Sequence, residues 1–332
     1  MVFKSPILVC MTPVRNEAWC LDVFLQCASS WADHIIILDQ NSTDGSREIA
    51  RNYPKVKLIE NNSNNYDEAN RQKLMIEEAR KIEGAKILVA LDADEVFSAN
   101  FKETEDWKLI LQSQPGDVFG FQWANILPDK NSFFSSSFYF PWLFNDDGIT
   151  EHKNHVKWMH SMRIPYPEKA DAHYSHVKDF RVLHFSWLNK KRFESKNRFY
   201  QCLVTIKEPE LNFIAIYRSY HSSKMDVFPI DITWIQNYND AQDNFIDHLD
   251  LDDKIFWFDN EVLNHFKTYG FEQFRFLNIW DIDWIEKMKT HLVIKDPRSV
   301  WIKLIHIYLK MSTGYSNKIV IRVIDKILKF IA

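Results

Sequence analysis

The sequence predicts an α/β protein: a mostly parallel sheet flanked by helices, followed by a mainly helical C-terminal region. Two observations carry this. The first 125 residues alternate short apolar runs with segments of helical apolar spacing, the pattern of strand–helix–strand units. Beyond about residue 226 the strand signals give way to acidic-aromatic helical ones. The chain has 332 residues, 46% of them hydrophobic, which is enough for one large domain or two closely packed ones.

In chain order, PILVCMT (6–12) reads as a short apolar strand. Residues 16–31 form a helix with apolar spacing at Trp19, Val23, Phe24 and Cys27. HIIILD (34–39) is a second strand, and residues 42–53 open with helix-start residues. VKLIEN (56–61) is a third strand, residues 67–84 a helix ended by Gly84, and KILVALD (86–92) a fourth strand. VFGFQWANIL (118–127) reads as one further strand. Residues 132–166 break into aromatic and polar loops, and six histidines lie between 152 and 184. FRVLHFSW (180–187) is a strand and residues 190–207 a basic helix. Residues 296–311 form a helix with Pro297 in its first turn, and residues 318–331 close the chain as another.

Composition narrows the function. A net charge of −4 lacks the basic excess of nucleic-acid binders. The four cysteines show no CxxC spacing and read as buried, reduced thiols of a cytoplasmic protein. The N-terminal apolar run is too short for a signal peptide, and no window of about 18 apolar residues is present to span a membrane. Aromatics reach 15%, including twelve Trp, which serve a large core or stacking platforms for sugars.

The chemistry concentrates at KILVALDADEVF (86–97), where Asp92, Asp94 and Glu95 follow a strand. Carboxylates this close repel unless something positive lies among them. The carboxyl end of an inner strand is where α/β sheets bind ligands. Asp92 and Asp94, two apart, point to one side of an extended segment. They suit a divalent cation held by carboxylates and substrate phosphates. The plainer reading is a solvated acidic turn. Asp39 ends the second strand at the same edge, as acceptor for a base N–H or a ribose hydroxyl, or as part of an ordinary helix cap. Arg15 and Glu17 in TPVRNE (12–17) pair with each other or meet a ligand there. Arg71 is a bidentate donor to a diphosphate or a surface charge.

Together, TPVRNE, HIIILDQNSTDGS and ANRQKLMIEEARKIEGAKILVALDADE resemble, in order and spacing, the nucleotide-binding half of a family-2 glycosyltransferase with the GT-A fold. The resemblance covers residues 5–100 well and 115–205 loosely. It implies an inverting, metal-dependent transfer of a sugar from a nucleoside-diphosphate sugar, UDP-sugar foremost, to a hydroxyl of a glycan or glycolipid, in surface polysaccharide biosynthesis. It implies that Thr12, Pro13, Arg15, Glu17 and Asp39 line the nucleoside pocket and that Arg71 lies near the donor. Asp92 would face the ribose or the metal, and Asp94 would bind Mn²⁺ or Mg²⁺ on the diphosphate. His184 would complete the metal site, tilting it toward Mn²⁺, or else is a core histidine bonded to backbone. Residues 1–125 would be the nucleotide-sugar half, 126–225 the acceptor half and 226–332 a mainly helical region.

Inversion needs a base. The Glu-Asp pair common in this family has no clear counterpart here, and the candidates are Glu151, His160 and Asp147. The last segment, KIVIRVIDKILKFIA, is a basic amphipathic helix. It packs on its own domain or a partner, or lies at the inner face of a membrane through 318–331. Two rivals to the transferase are a sugar-phosphate nucleotidyltransferase, which lacks its Gly-rich loop here, and a non-catalytic glycan- or nucleotide-binding protein on a degenerate GT-A fold.

Overall fold

A strand of eight residues, β1 (Ile7–Val14), opens the fold and is almost wholly buried. The computed structural model describes residues 5–63, 66–153, 161–167, 173–221, 225–236, 238, 243–252 and 254–331. After β1 come α1 (Ala18–Ser29), β2 (His34–Gln40), α2 (Ser46–Arg51), β3 (Val56–Asn61), α3 (Glu68–Arg80) and β4 (Lys86–Ala90). Then β5 (Glu95–Phe97), α4 (Glu105–Leu111), β6 (Val118–Phe121), β7 (Trp123–Ile126), β8 (Ser132–Phe134) and β9 (Phe140–Asn145) follow. The chain continues with β10 (Tyr174–His176), β11 (Val182–His184), α5 (Lys190–Lys207), α6 (Phe213–Tyr220) and β12 (Val227–Pro229). It closes with α7 (Trp257–Tyr269), α8 (Ile282–Met288), α9 (Val300–Ser312) and α10 (Ile319–Ile331).

These elements form two compact units, residues 1–188 with 227–251, and residues 189–226 with 252–332. The first unit holds a seven-stranded sheet in the order β10-β6-β9-β4-β1-β2-β3. Within it β4, β1, β2 and β3 are mutually parallel, and β9 runs antiparallel to β4 and β6. The strand–helix alternation therefore gives the expected α/β sheet, with every parallel carboxyl end at one edge. A second, five-stranded sheet runs β12-β8-β7-β11-β5. Phe97 on β5 sits in an aromatic core with Trp31, Phe101, Trp107, Phe121 and Phe180, centroids 5.2–6.1 Å from its ring.

Several sequence expectations are corrected. Residues 118–127 are two strands in different sheets. The chain leaves the first sheet at Gln122, whose carbonyl accepts from Val182 N at 3.2 Å, and β7 then pairs with β11. Residues 132–166 contain β8 and β9 as well as loops. The fourth strand stops at Ala90, and the chain re-enters the second sheet at Glu95, so the acidic motif bridges the two sheets. Pro297 precedes its helix, which starts after Ser299, whose hydroxyl accepts from Ile302 N.

In the second unit, buried Asp259 on α7 accepts from Ser195 Oγ at 2.6 Å, Trp284 Nε1 at 2.8 Å and, at its other oxygen, Phe256 N at 3.0 Å. The Arg198 guanidinium lies 3.4 Å away. Ile214 and Tyr217 of α6 pack on Ile305 and Leu309 of α9. Asp325 ties α10 to this core through Arg218 at 3.0 Å and Tyr308 Oη at 2.8 Å.

Candidate active site

The loops after β1 and β2 are stitched together at the carboxyl edge. Ser42 Oγ accepts from Asn16 N at 2.9 Å, Ser46 Oγ from Glu17 N at 3.0 Å and Asp44 Oδ2 from Ala18 N at 2.9 Å. Asn16 Oδ1 accepts from Thr43 N at 2.7 Å, and Asn16 and Asn41 both take positive φ, which Asn tolerates better than most residues. The polar residues that looked like helix-start signals therefore fix two loops around the strand ends. Glu17 accepts from Trp19 Nε1 at 2.5 Å, and Arg15 beside it is half-buried.

Asp39, at the end of β2, is buried. Its Oδ1 accepts from Arg47 Nε at 2.5 Å and Ser42 N at 3.1 Å. Its Oδ2 finds no hydrogen-bond partner among the described residues, nor do buried Thr12 Oγ1 and Arg47 Nη2. Orphaned buried polar atoms are rare and cost free energy unless a ligand or water meets them. Pro13 follows Thr12 on β1 and is half-buried. Arg71, in the first turn of α3, is buried rather than a surface charge. It donates to Gln40 Oε1 at 3.1 Å, and its guanidinium lies 4.8 Å from the Tyr66 ring centroid.

The acidic motif divides into two parts. Arg163 inserts between Asp92 and Glu95, at 2.6 Å from Asp92 Oδ2 and 2.6 Å from Glu95 Oε2, with a further bond to Glu95 Oε1 at 3.2 Å. Burial works against the Arg163 charge, but Asp92 and Glu95 more than offset it and hold the guanidinium above the ordinary arginine value. The guanidinium also lies 5.1 Å from the Trp142 ring. Glu95 is fully buried and accepts additionally from Trp123 Nε1 at 2.8 Å and Asp92 N at 2.9 Å. Part of the missing positive charge is thus an arginine from a distant loop. The sequence offered no signal for it beyond the need for a cation.

Asp94 instead faces His184, with Oδ2 and Nε2 3.5 Å apart. The ring of His184 stacks on Trp123, centroids 5.0 Å apart, and its Nδ1 lies 2.8 Å from Asn125 Oδ1. Asn125 is oriented by its own Nδ2, which donates to Phe134 O at 3.3 Å, so Nδ1 of His184 is assigned as the donor. Nε2 then turns toward a carboxylate, an arrangement that calls for a proton or a cation between them. Asn125 and His184 are direct partners in the β7–β11 register, which sequence spacing could not reveal.

Among the described residues no group of three or more His, Cys, Asp or Glu is gathered to hold a metal. The expected trio of Asp92, Asp94 and His184 is not assembled, because Asp92 is engaged by Arg163. Asp94 and His184 remain a carboxylate–imidazole pair at a separation that suits two ligands of one ion. Asn125 holds the far nitrogen of His184, as a hydrogen-bond partner does for a metal-bound histidine.

The base candidates separate too. Asp146 N donates to Lys86 O at the start of β4, so Asp147 lies at the edge opposite Asp92 and Asp94. Its carboxylate is consumed by Ile149 N, Thr150 N and Thr150 Oγ1. Burial would raise its pKa, but these bonds prevail and lower it, which suits a turn and not a base. Glu151 is exposed in the loop beyond. His160 lies outside the described residues. Ser161 N donates to Glu68 Oε2 at 3.1 Å, at the first turn of α3.

Acids gathered at the carboxyl edge of a parallel sheet, with buried polar atoms beside them, stand where α/β sheets bind ligands. Residues 10–104 match the model of the family described as Glycosyl transferase family 2. Over this segment, which is under a third of the chain, the sequence is similar to family-2 glycosyltransferases. Among solved structures it is similar to the glucosyl-3-phosphoglycerate synthase of Mycobacterium tuberculosis in complex with phosphoglyceric acid. Identity is 14% and TM-score 0.25 over 36% of this chain, and the match spans 43% of that protein. No curated protein matches the chain. Among the described residues no helix is long and apolar enough to cross a membrane.

Proposed function

We propose that the chain transfers a sugar, with inversion, from a nucleoside-diphosphate sugar to a hydroxyl of a glycan or glycolipid, as surface polysaccharide synthesis requires. The observation that carries this reading is the Asp94–His184 pair at the carboxyl edge of β4. These two residues would hold Mn²⁺ or Mg²⁺, which supplies charge neutralisation to the departing diphosphate. A carboxylate–imidazole pair completed by phosphate oxygens and water is compatible with either ion, and the imidazole favours Mn²⁺.

The remaining roles belong to the protein. Asp39 Oδ2 accepts from the nucleoside and Thr12 Oγ1 bonds to it, a reading supported by the lack of any other partner for these buried atoms among the described residues. Arg15, Glu17 and Pro13 complete that pocket, and Arg71 stands beside it on α3. Arg163 holds Asp92 and Glu95 in place so that Asp92 presents its outer face to the ribose. Glu151 and His160 stay as candidates to take the acceptor proton, and Asp147 is withdrawn. The donor half is residues 1–125. The acceptor half, 126–225, cuts across the compact units, since α5 and α6 belong to the second.

The test is sugar release from UDP-, GDP- and dTDP-sugars by purified protein with Mn²⁺, Mg²⁺ or chelator. One donor should turn over with metal, Asp94→Ala should abolish it, and Asn125→Ala should weaken metal affinity by about 10–100-fold. Asp147→Asn should leave it unchanged. Turnover unaffected by chelator and by Asp94→Ala would refute the metal role, and no turnover of any donor would favour a binding protein.

A further inference from the structure

The second unit ends in an apolar face that nothing among the described residues covers. On α9, Val300, Leu304, Ile307 and Met311 recur at helical spacing and are 51–77% exposed. On α10, Ile319, Val320, Val323 and Ile327 are 52–78% exposed. The two faces meet in a shallow groove of about 640 Å³ whose walls include Leu304, Met311 and Val320. Nearly half of the large exposed apolar side chains among the described residues lie between Val300 and Ile327. Patches of this kind, rimmed by polar residues, mark interaction sites.

Charge says what meets this one. Residues 297–332 carry seven Lys and Arg against one carboxylate, a net +6, so with a chain total of −4 the remaining residues carry −10. The single carboxylate, Asp325, is turned inward onto Arg218 and Tyr308. Arg298 and Lys303 are drawn to Asp296. Lys310, Lys318, Arg322, Lys326 and Lys329 are exposed and pair with no carboxylate among the described residues. At about 100° per residue, the exposed apolar arc of α10 adjoins a basic arc of Arg322, Lys326 and Lys329. Residues Ile321, Ile324, Asp325 and Leu328 face the unit's core side. Trp301 and Tyr315 are half-exposed at the same surface, residue types that favour the headgroup level.

We infer that the α9–α10 face docks on a lipid bilayer bearing anionic headgroups, its apolar side chains entering the interface and its lysines and Arg322 meeting the headgroup charge. A second copy is the poorer occupant. In a two-fold contact the same patch faces itself, so each basic fringe would meet another with no exposed carboxylate to answer it.

Co-sedimentation with vesicles tests this, using phosphatidylcholine alone and phosphatidylcholine with phosphatidylglycerol at about 3:1. The protein should pellet with the anionic vesicles and stay in solution with the neutral ones. Binding should fall at least about tenfold at 0.5 M salt. Arg322→Glu with Lys326→Glu should abolish it, and so should Val323→Ser with Ile327→Ser, which leaves the charge intact. Unchanged thermal unfolding would show that these variants are folded. Failure to pellet with either vesicle overturns the inference. So does a dimer in sedimentation velocity that Val323→Ser with Ile327→Ser disperses while vesicles are ignored.

Discussion

Replacing Arg163 by Met removes the one guanidinium that bridges Asp92 and Glu95. The two losses are unequal. Asp92 keeps 39% of its side chain exposed, so water replaces much of what the 2.6 Å bond supplied. Glu95 is fully buried and, among the described residues, would keep only Trp123 Nε1 and Asp92 N as donors. Removing one partner of a buried ion pair costs about 3–5 kcal/mol, because the survivor is left charged and poorly solvated. Most of that cost should sit on Glu95. Denaturant unfolding of the protein, Arg163→Met, Glu95→Gln and the double variant measures it. Arg163→Met should lose about 3–5 kcal/mol, and adding Glu95→Gln should recover part of the loss, a coupling of about 0.5–3 kcal/mol. A loss under about 1 kcal/mol for Arg163→Met, the size of a surface pair, would refute the reasoning.

Two further outcomes follow from packing and protonation. Phe97→Ala, at the centre of five aromatic rings, should cost about 3–5 kcal/mol, whereas Phe138→Ala at an exposed position should cost little; equal effects in the same unfolding assay would sink that description of the core. In the second unit, burial lowers the pKa of His221 and of His306 below the ordinary imidazole value. Above about pH 6.5 both are neutral folded or unfolded. As pH falls below that value the unfolded imidazoles bind protons that the folded ones refuse, so stability declines toward the lower folded pKa. Unfolding at pH 7.5 and 5.5 should show this decline, and equal or greater stability at pH 5.5 would contradict it.

The parallel half of the first sheet was legible because each of its strands is a compact apolar run closed by polar loop residues, with a helix of clear period before the next. The second sheet was legible only in β7 and β11, which fall within the runs 118–127 and 180–187. Its strands β5, β8 and β12 are three residues long, too short for any period, and β12 and β5 pair across large sequence separations. The site shows the same contrast. Asp39, Asp92 and Asp94 announced themselves by ending strands, and like charge demanded a cation. Arg163 and Asn125 are defined by tertiary register alone: one arrives 71 residues after Asp92, the other faces His184 across a ladder. For Asp147 acidity is visible in sequence and sheet edge is not: β9 runs antiparallel to β4 and places it at the edge opposite Asp92 and Asp94.

The most direct measurement is calorimetric titration of UDP, GDP, dTDP and CMP into the protein with Mn²⁺ or with chelator, repeated on Asp94→Ala and His184→Ala. The account predicts that one nucleotide binds only with Mn²⁺ and that either substitution weakens it by at least about tenfold. A nucleotide that binds equally well with chelator and to both variants would contradict it, and would leave charge neutralisation at this edge to Arg163.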